Sequence, residues 1–290
     1  MRTLIVGCGY LGRRVGRLLA DRGEVAYGTA RSAARLAELP SFGVRPVRLD
    51  VLDPSTLDAL PEVDRVLYCV GFDRGAGVAM RDVYVGGLER VLDRLAGRVG
   101  RLLYASSTGV YGRDDGDWVD EQTPAEPRTE SGRICLEAED VVRRFEVERG
   151  MPSVIVRYAG LYGPGRMIRK AALERGEPIV GDPTRHLNLI HIDDAAAVAL
   201  AALDRGEPGS IYLAVDDRPV RRREYYERVA ECLGLAPPSF VPPEPGDPGA
   251  NREEANKRVS NRRMRAELGV ELAYPDIATG VPAALGIVPS

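Results

Sequence analysis

The sequence predicts an α/β fold, a doubly wound parallel sheet with a smaller C-terminal lobe. Three observations predict it. Short apolar runs and helical stretches alternate from residue 2 to residue 157. The runs are continuously apolar, as strands covered on both faces are. The first run ends in Gly7-Cys8-Gly9-Tyr10-Leu11-Gly12, directly before a helical pattern. Parallel strands need crossover connections, and the alternation of strand and helix supplies them.

Residues 2–6 read as the first strand. Residues 11–22 have helical spacing, with Val15, Leu18 and Leu19 on one face and Gly23 placed to stop the helix. A second strand follows at 25–29, a short helix at 32–39, and a third strand at 46–49 that runs into Asp50. A short helix at 57–60 leads to the fourth strand, 65–70. A helix at 82–96 precedes the fifth strand, 101–106. The longest helix is expected at 131–148, with Ser131 as its N-cap, and a strand at 153–157 follows. Further on, 168–174 and 193–203 read as helices, 210–214 as a strand and 221–233 as a helix. The segment 236–249 carries Pro237, Pro238, Pro242, Pro243, Pro245 and Pro248 and is expected to be loop. A helix at 261–268, capped by Ser260 and stopped by Gly269, closes the series. The expected division is 1–157 plus 186–206 for the sheet domain, and 158–185 plus 207–290 for the lobe.

Composition narrows the function. The 290 residues are 44% hydrophobic and 29% charged, with a formal net charge of −3. This excludes a disordered chain and argues against a basic nucleic-acid surface. Of the 40 basic residues only Lys170 and Lys257 are lysine. Any chemistry that needs a lysine has two candidates. The four cysteines, Cys8, Cys69, Cys135 and Cys232, are dispersed, and with two histidines no zinc spacing can be built, so no metal site is expected. Dispersed cysteines, no signal-peptide pattern and no apolar stretch of membrane-spanning length predict a cytoplasmic protein with no membrane partner.

The glycine motif carries the most chemistry. In a strand–turn–helix context Gly7 permits the tight turn. Gly9 lets a pyrophosphate approach the backbone, with Tyr10 and Leu11 beside it, and Gly12 lets the helix pack on the sheet. The helix N-terminus favours the phosphate charge. The second strand ends in Gly28-Thr29-Ala30-Arg31-Ser32, without the acid that usually holds the ribose hydroxyls of NAD. Arg31, Ser32 and Arg35 suit the 2′-phosphate of NADP. They could equally be solvated surface residues, and NAD is the alternative cofactor. Asp50 and Val51 after the third strand, and Val70 and Gly71 after the fourth, complete the expected cofactor site.

Further motifs carry a resemblance. They are Cys69-Val70-Gly71, Ser106-Ser107-Thr108-Gly109-Val110-Tyr111-Gly112, Tyr162-Gly163-Pro164-Gly165 and His191-Ile192-Asp193-Asp194. With the glycine motif they resemble the extended and atypical short-chain dehydrogenase/reductases, which include nucleotide-sugar epimerases and dehydratases. The resemblance implies that Ser107 hydrogen-bonds the reacting carbonyl or alcohol. It also implies a Tyr-x-x-x-Lys pair on the next long helix, as general acid/base and its helper. The matching positions hold Ser131 and Cys135. Arg166 stands four residues before Lys170 and Glu253 four before Lys257, so no Tyr-x-x-x-Lys exists anywhere in the chain.

A replacement acid/base is therefore expected, and Tyr111 is the first candidate, with packing as its alternative. Arg157, at a strand end, either orients substrate or pairs with Asp193 or Asp194. Tyr162 and His191 are placed at the substrate cleft by the resemblance, although both also suit the core. The expected function is an NAD(P)-dependent oxidoreductase or epimerase/dehydratase-like enzyme. Its substrate would be a small polar or sugar-type molecule, and a non-catalytic dinucleotide sensor is the alternative. The resemblance also implies a homodimer through the helices at 82–96 and 131–148.

Overall fold

The computed structural model describes residues 1–243 and 255–287. Seven strands form one sheet: β1 (Arg2–Val6), β2 (Val25–Ala30), β3 (Val44–Arg48), β4 (Arg65–Tyr68), β5 (Arg101–Ser107), β6 (Ser153–Tyr158) and β7 (Ile211–Ala214). Their order is β3-β2-β1-β4-β5-β6-β7, and every pair is parallel. The chain leaves β1 in one direction and returns beyond it at β4. The C-terminal strand ends beside this reversal form the crevice that open α/β sheets use for ligands.

Strand alternation sorts the apolar side chains onto two faces. Ile5, Leu67, Leu103, Val154 and Val156 meet α1 (Tyr10–Asp21) and α6 (Ile192–Arg205). Leu4, Val6, Val66, Leu102 and Tyr104 meet α3 (Gly87–Leu95) and α4 (Glu130–Arg149). Between β2 and β3 lies the short α2 (Ala33–Glu38). Among the described residues the remaining α-helices are α5 (Lys170–Glu174), α7 (Arg222–Cys232), α8 (Arg262–Leu268) and α9 (Ile277–Ala284). A separate core of Tyr162, Leu173, Ile179, Val220, Tyr225, Val229, Ile277 and Val281 unites α5, α7 and α9.

Several expectations need correction. Ile211–Ala214 belongs to the sheet, not to the lobe; Tyr212, Leu213 and Ala214 are fully buried beside β6. Helix α8 lies on the sheet's face too, where Met264 and Leu268 join the α1–α6 core. The long helix α4 starts one residue earlier than expected. Its cap is Thr129, whose Oγ1 accepts from the Gly132 amide at 3.0 Å, so Ser131 is inside the first turn. At α8 the N-cap position is Asn261, not Ser260. The stretch at 82–96 divides into a wide π turn, Asp82–Gly86, and α3. Residues 54–59 form a 3₁₀ helix in place of the short helix at 57–60. In the proline-rich segment Phe240–Val241 pairs with Ile179–Val180 as a two-residue strand, while 244–249 lies outside the described residues. Helix α9 was not anticipated because Pro282 sits inside it; Asp276, whose carboxylate accepts from the Thr279 amide, was the overlooked cap.

Candidate dinucleotide site

The turn after β1 is held by backbone. Gly7 has φ +82°, and an added Cβ would lie 2.6 Å from the Val70 Cα. Its amide donates to the Thr29 Oγ1 at 2.9 Å, and the Cys8 amide donates to the Thr29 carbonyl at 2.9 Å. This locks the turn to β2. A Cβ on Gly12 would meet Ile5 at 2.7 Å, so glycine sets how closely α1 approaches the sheet. Gly9 differs. It is the N-cap residue of α1, has no side-chain cap, and an added Cβ would have only the Gly7 carbonyl near it, at 3.8 Å. The space over Gly9 belongs to the cleft.

That cleft, of about 790 Å³, runs along the C-terminal ends of β2, β1, β4 and β5. Gly7, Gly9, Tyr10, Leu11, Arg31, Ser32, Arg35, Asp50, Val51, Val70 and Gly71 all line it. Gly12 stands behind it. At the β2 end Ser32 caps α2 by accepting from the Arg35 amide at 3.4 Å. This presents Arg31 and Arg35 as exposed side chains. Arg31 faces Asp73 at 3.7 Å, a solvated pair of small energetic weight. The Asp50 carboxylate accepts from the Leu52 amide at 3.0 Å and shapes its turn. Cleft residues that sequence reasoning missed include Cys8, Cys69, Asp73 and Arg166. Burial pushes the Cys8 thiol up to about 12 and raises Cys69 as well, which favours the thiol over the thiolate at both. Arg166 is placed by the Tyr162–Arg166 loop. Gly163 and Arg166 exchange backbone hydrogen bonds at 3.1 and 2.9 Å, and the Arg166 guanidinium lies 5.5 Å from the Tyr10 ring centre. The Tyr10 hydroxyl donates to the Pro164 carbonyl at 3.2 Å, tying the glycine turn to this loop.

At the other end the wall is Ala105, Ser106, Tyr158 and Leu161. Ser107 is the next residue, half-buried, with its Oγ accepting from the Gly109 amide at 3.1 Å. Behind this wall lies a buried network. Glu139 is completely buried; it accepts from the Ser106 hydroxyl at 2.6 Å and from Arg157 at 2.9 and 2.7 Å. The Arg157 guanidinium also donates to the Tyr111 hydroxyl at 2.6 Å, and that hydroxyl donates to the Asp120 carbonyl at 2.8 Å.

This network corrects two expectations. Tyr111 is 1% exposed, does not line the cleft, and is raised in pKa by burial. Its place is in the packing behind the cleft wall and not at the cleft, where a replacement acid/base was expected. Arg157 is spent on Glu139 and pairs with neither Asp193 nor Asp194. Asp193 binds Arg14 at 3.1 Å, and Asp194 accepts the amides of Ala273 and Tyr274. Glu139 itself was detectable, because it stands with Cys135, Ala138 and Val142 on the buried stripe of α4. A carboxylate there requires a cation.

Tyr162 and His191 are also internal. Tyr162 is fully buried, with its ring 5.4 Å from that of His191 and 6.4 Å from Tyr225. His191 is 1% exposed and lies 4.0 Å from Tyr274 between ring centres. Its Nδ1 accepts from the Asp193 amide at 3.3 Å, capping α6, and burial lowers its pKa. Neither lines the cleft. Ser131 is half-buried, 3.3 Å from the Thr129 hydroxyl, and Cys135 is buried.

Comparison with known proteins places this geometry. The model of the NAD dependent epimerase/dehydratase family matches residues 3–214. The chain belongs to that family. Protein YeeZ of Escherichia coli (strain K12) is 32% identical over 282 residues, covering 95% of this chain and 97% of that protein. A functionally unknown conserved protein from Silicibacter pomeroyi superposes with a TM-score of 0.82 at 31% identity, covering 98% of each chain. UDP-glucuronic acid 4-epimerase from Bacillus cereus, solved with UDP-glucuronic acid and NAD, shares the fold at a TM-score of 0.82 and 18% identity; 99% of this chain and 98% of that one are covered.

The residues that line the cleft fit a nicotinamide dinucleotide, the cofactor this NAD dependent epimerase/dehydratase family is named for. The Gly9 backbone leaves space where a pyrophosphate must approach, and the α1 N-terminus points amides at it. Bound there, a nicotinamide dinucleotide would supply hydride transfer; this chain supplies its binding and orientation. Among the described residues no helix is long and apolar enough to cross a membrane.

Proposed function

We propose that the chain is an NADP-preferring oxidoreductase or epimerase/dehydratase-type enzyme, acting on a hydroxyl or carbonyl of a small polar or sugar-type substrate. The cleft carries this reading, with its glycine turn at one end and Ser106, followed in the chain by Ser107, at the other. Arg31, Ser32 and Arg35 hold the 2′-phosphate at the β2 end, where no acid takes the ribose hydroxyls. Ser107 hydrogen-bonds the reacting oxygen. The proton is not handled by α4, where Ser131 and Cys135 stand, nor by Tyr111. Residues 158–185 and the α7 and α9 region enclose the substrate. The protein acts in the cytoplasm as a homodimer through α3 and α4.

A second reading, a dinucleotide sensor without turnover, is favoured by Ser131 and Cys135. A screen of hydroxy and carbonyl substrates separates the two, following nicotinamide absorbance and analysing products so that redox-neutral reactions are seen. Conversion of any substrate supports the enzyme. Tight dinucleotide binding with no product across sugar-nucleotide and small polyol substrates supports the sensor. Light scattering tests the dimer.

A further inference from the structure

The glycine turn offers a dinucleotide backbone groups and little else. No side chain caps α1. The two arginines that follow the turn are engaged elsewhere: Arg13 pairs with Glu38 at 2.5 Å and Arg14 with Asp193 at 3.1 Å. Neither lines the cleft. A nicotinamide dinucleotide brings a doubly charged pyrophosphate to this turn, and a helix N-terminus opposes it with only about half an elementary charge.

A cation stands beside the turn. Arg166 lines the cleft together with Gly9, Tyr10 and Leu11. Its guanidinium lies 5.5 Å from the centre of the Tyr10 ring, and Tyr10 directly follows Gly9. The loop that carries it is tied to the turn. Gly163 and Arg166 exchange backbone hydrogen bonds, and the Tyr10 hydroxyl donates to the Pro164 carbonyl at 3.2 Å. A Cβ on Gly163 would lie 2.8 Å from that hydroxyl and 2.6 Å from Ile192, so glycine sets the close approach of the loop to α1 and α6. Among the described residues no acid pairs with Arg166. The other arginines lining the cleft, Arg31 and Arg35, are at the β2 end, and Arg31 faces Asp73. Arg166 is therefore an uncompensated positive charge on the glycine-turn side of the cleft.

We propose that Arg166 is a cofactor-binding residue whose guanidinium holds the dinucleotide pyrophosphate at the glycine turn, supplying the full charge that the α1 amides lack. The inference rests on the dinucleotide reading above. A guanidinium presents a planar fork of donors that phosphate oxygens accept, and the Tyr10 ring supports its cation. The pyrophosphate is common to NADP and NAD, so Arg166 sets the affinity for both, whereas Arg31 acts at the 2′-phosphate of one. The same loop begins at Tyr162, a member of the lobe core, so the contact also ties cofactor occupancy to the lobe.

Isothermal titration calorimetry of wild-type, Arg166→Gln and Arg166→Lys protein with NADPH, NADH and ADP-ribose tests this. ADP-ribose keeps the pyrophosphate and lacks the nicotinamide. Arg166 is exposed, so both variants should keep the wild-type melting temperature. Arg166→Gln should weaken all three ligands by about tenfold, the weight of a charge-assisted contact, and leave the NADPH-to-NADH ratio unchanged. It should also lose part of the salt dependence of affinity. Arg166→Lys, which keeps the charge without the fork, should recover the salt dependence and part of the affinity. ADP-ribose bound equally by wild-type and Arg166→Gln protein overturns this inference alone, whether or not the dinucleotides weaken. A uniform loss with unaltered salt dependence and no recovery by lysine overturns it too, because that marks a structural role. Wild-type protein that binds none of the three overturns the functional reading and the inference together.

Discussion

The two ends of the cleft are made of different material. The glycine-turn end is backbone: Gly7 at φ +82°, amides shared with Thr29, and the open N-terminus of α1. The Ser106–Ser107 end is side chain, backed by Glu139, Arg157 and Tyr111, which satisfy one another. A backbone site persists when the residues around it change. A side-chain site depends on individual positions, and two of these, Ser131 and Cys135, no longer carry the expected groups. The glycine-turn end can therefore stand unchanged while Ser131 and Cys135 replace the groups expected at the other end.

The comparison can be broken at either end. The largest expected effect is at the buried network. Glu139→Gln leaves the Arg157 guanidinium buried without its countercharge and should cost about 3–5 kcal/mol of stability, read by denaturant unfolding. Dinucleotide affinity of the folded fraction should stay within about twofold, since cofactor contacts are elsewhere. Gly9→Ala should do the reverse. Its Cβ meets no protein atom closer than 3.8 Å, so the melting temperature should hold. Dinucleotide affinity should fall by about 100-fold, roughly 2.7 kcal/mol, because the methyl occupies the pyrophosphate's path. Loss of stability without loss of affinity would place Gly9 in the fold and not in the site.

A smaller effect is expected at Arg31. Replacing it by alanine should reduce the preference for NADPH over NADH by about tenfold, the weight of one charge-assisted hydrogen bond. An unchanged ratio would leave Arg31 as a solvated partner of Asp73. The smallest effect belongs to His191. Burial lowers its folded-state pKa below the ordinary 6.5, so the unfolded chain takes up a proton first as pH falls. Its contribution is present above pH 6.5 and is lost as pH falls below it. His191→Gln should flatten the stability profile in that window; an unchanged slope would assign the dependence to other groups.

The sequence was most legible where backbone does the work. All seven strands of the sheet were read as strands, the last of them misplaced in the lobe, and the glycine motif with the strand ends named eleven residues that line the cleft. Side-chain destinations were less legible. Tyr111 and Arg157 follow strand ends, where ligands bind, but a carboxylate 18 residues before Arg157 claims its guanidinium. Tyr162 and His191 were drawn to the site by motif, while their rings pack against each other inside the lobe. Local spacing tells which face a residue occupies; it does not tell which distant residue completes a buried pair.

Titration with NADPH and with NADH, followed by nicotinamide fluorescence, tests the central claim most directly. The account predicts saturable binding of both, with NADPH tighter by about tenfold or more. Saturation with equal affinities would remove the role of Arg31 while leaving the cleft intact. Failure of both nucleotides to bind would contradict the account.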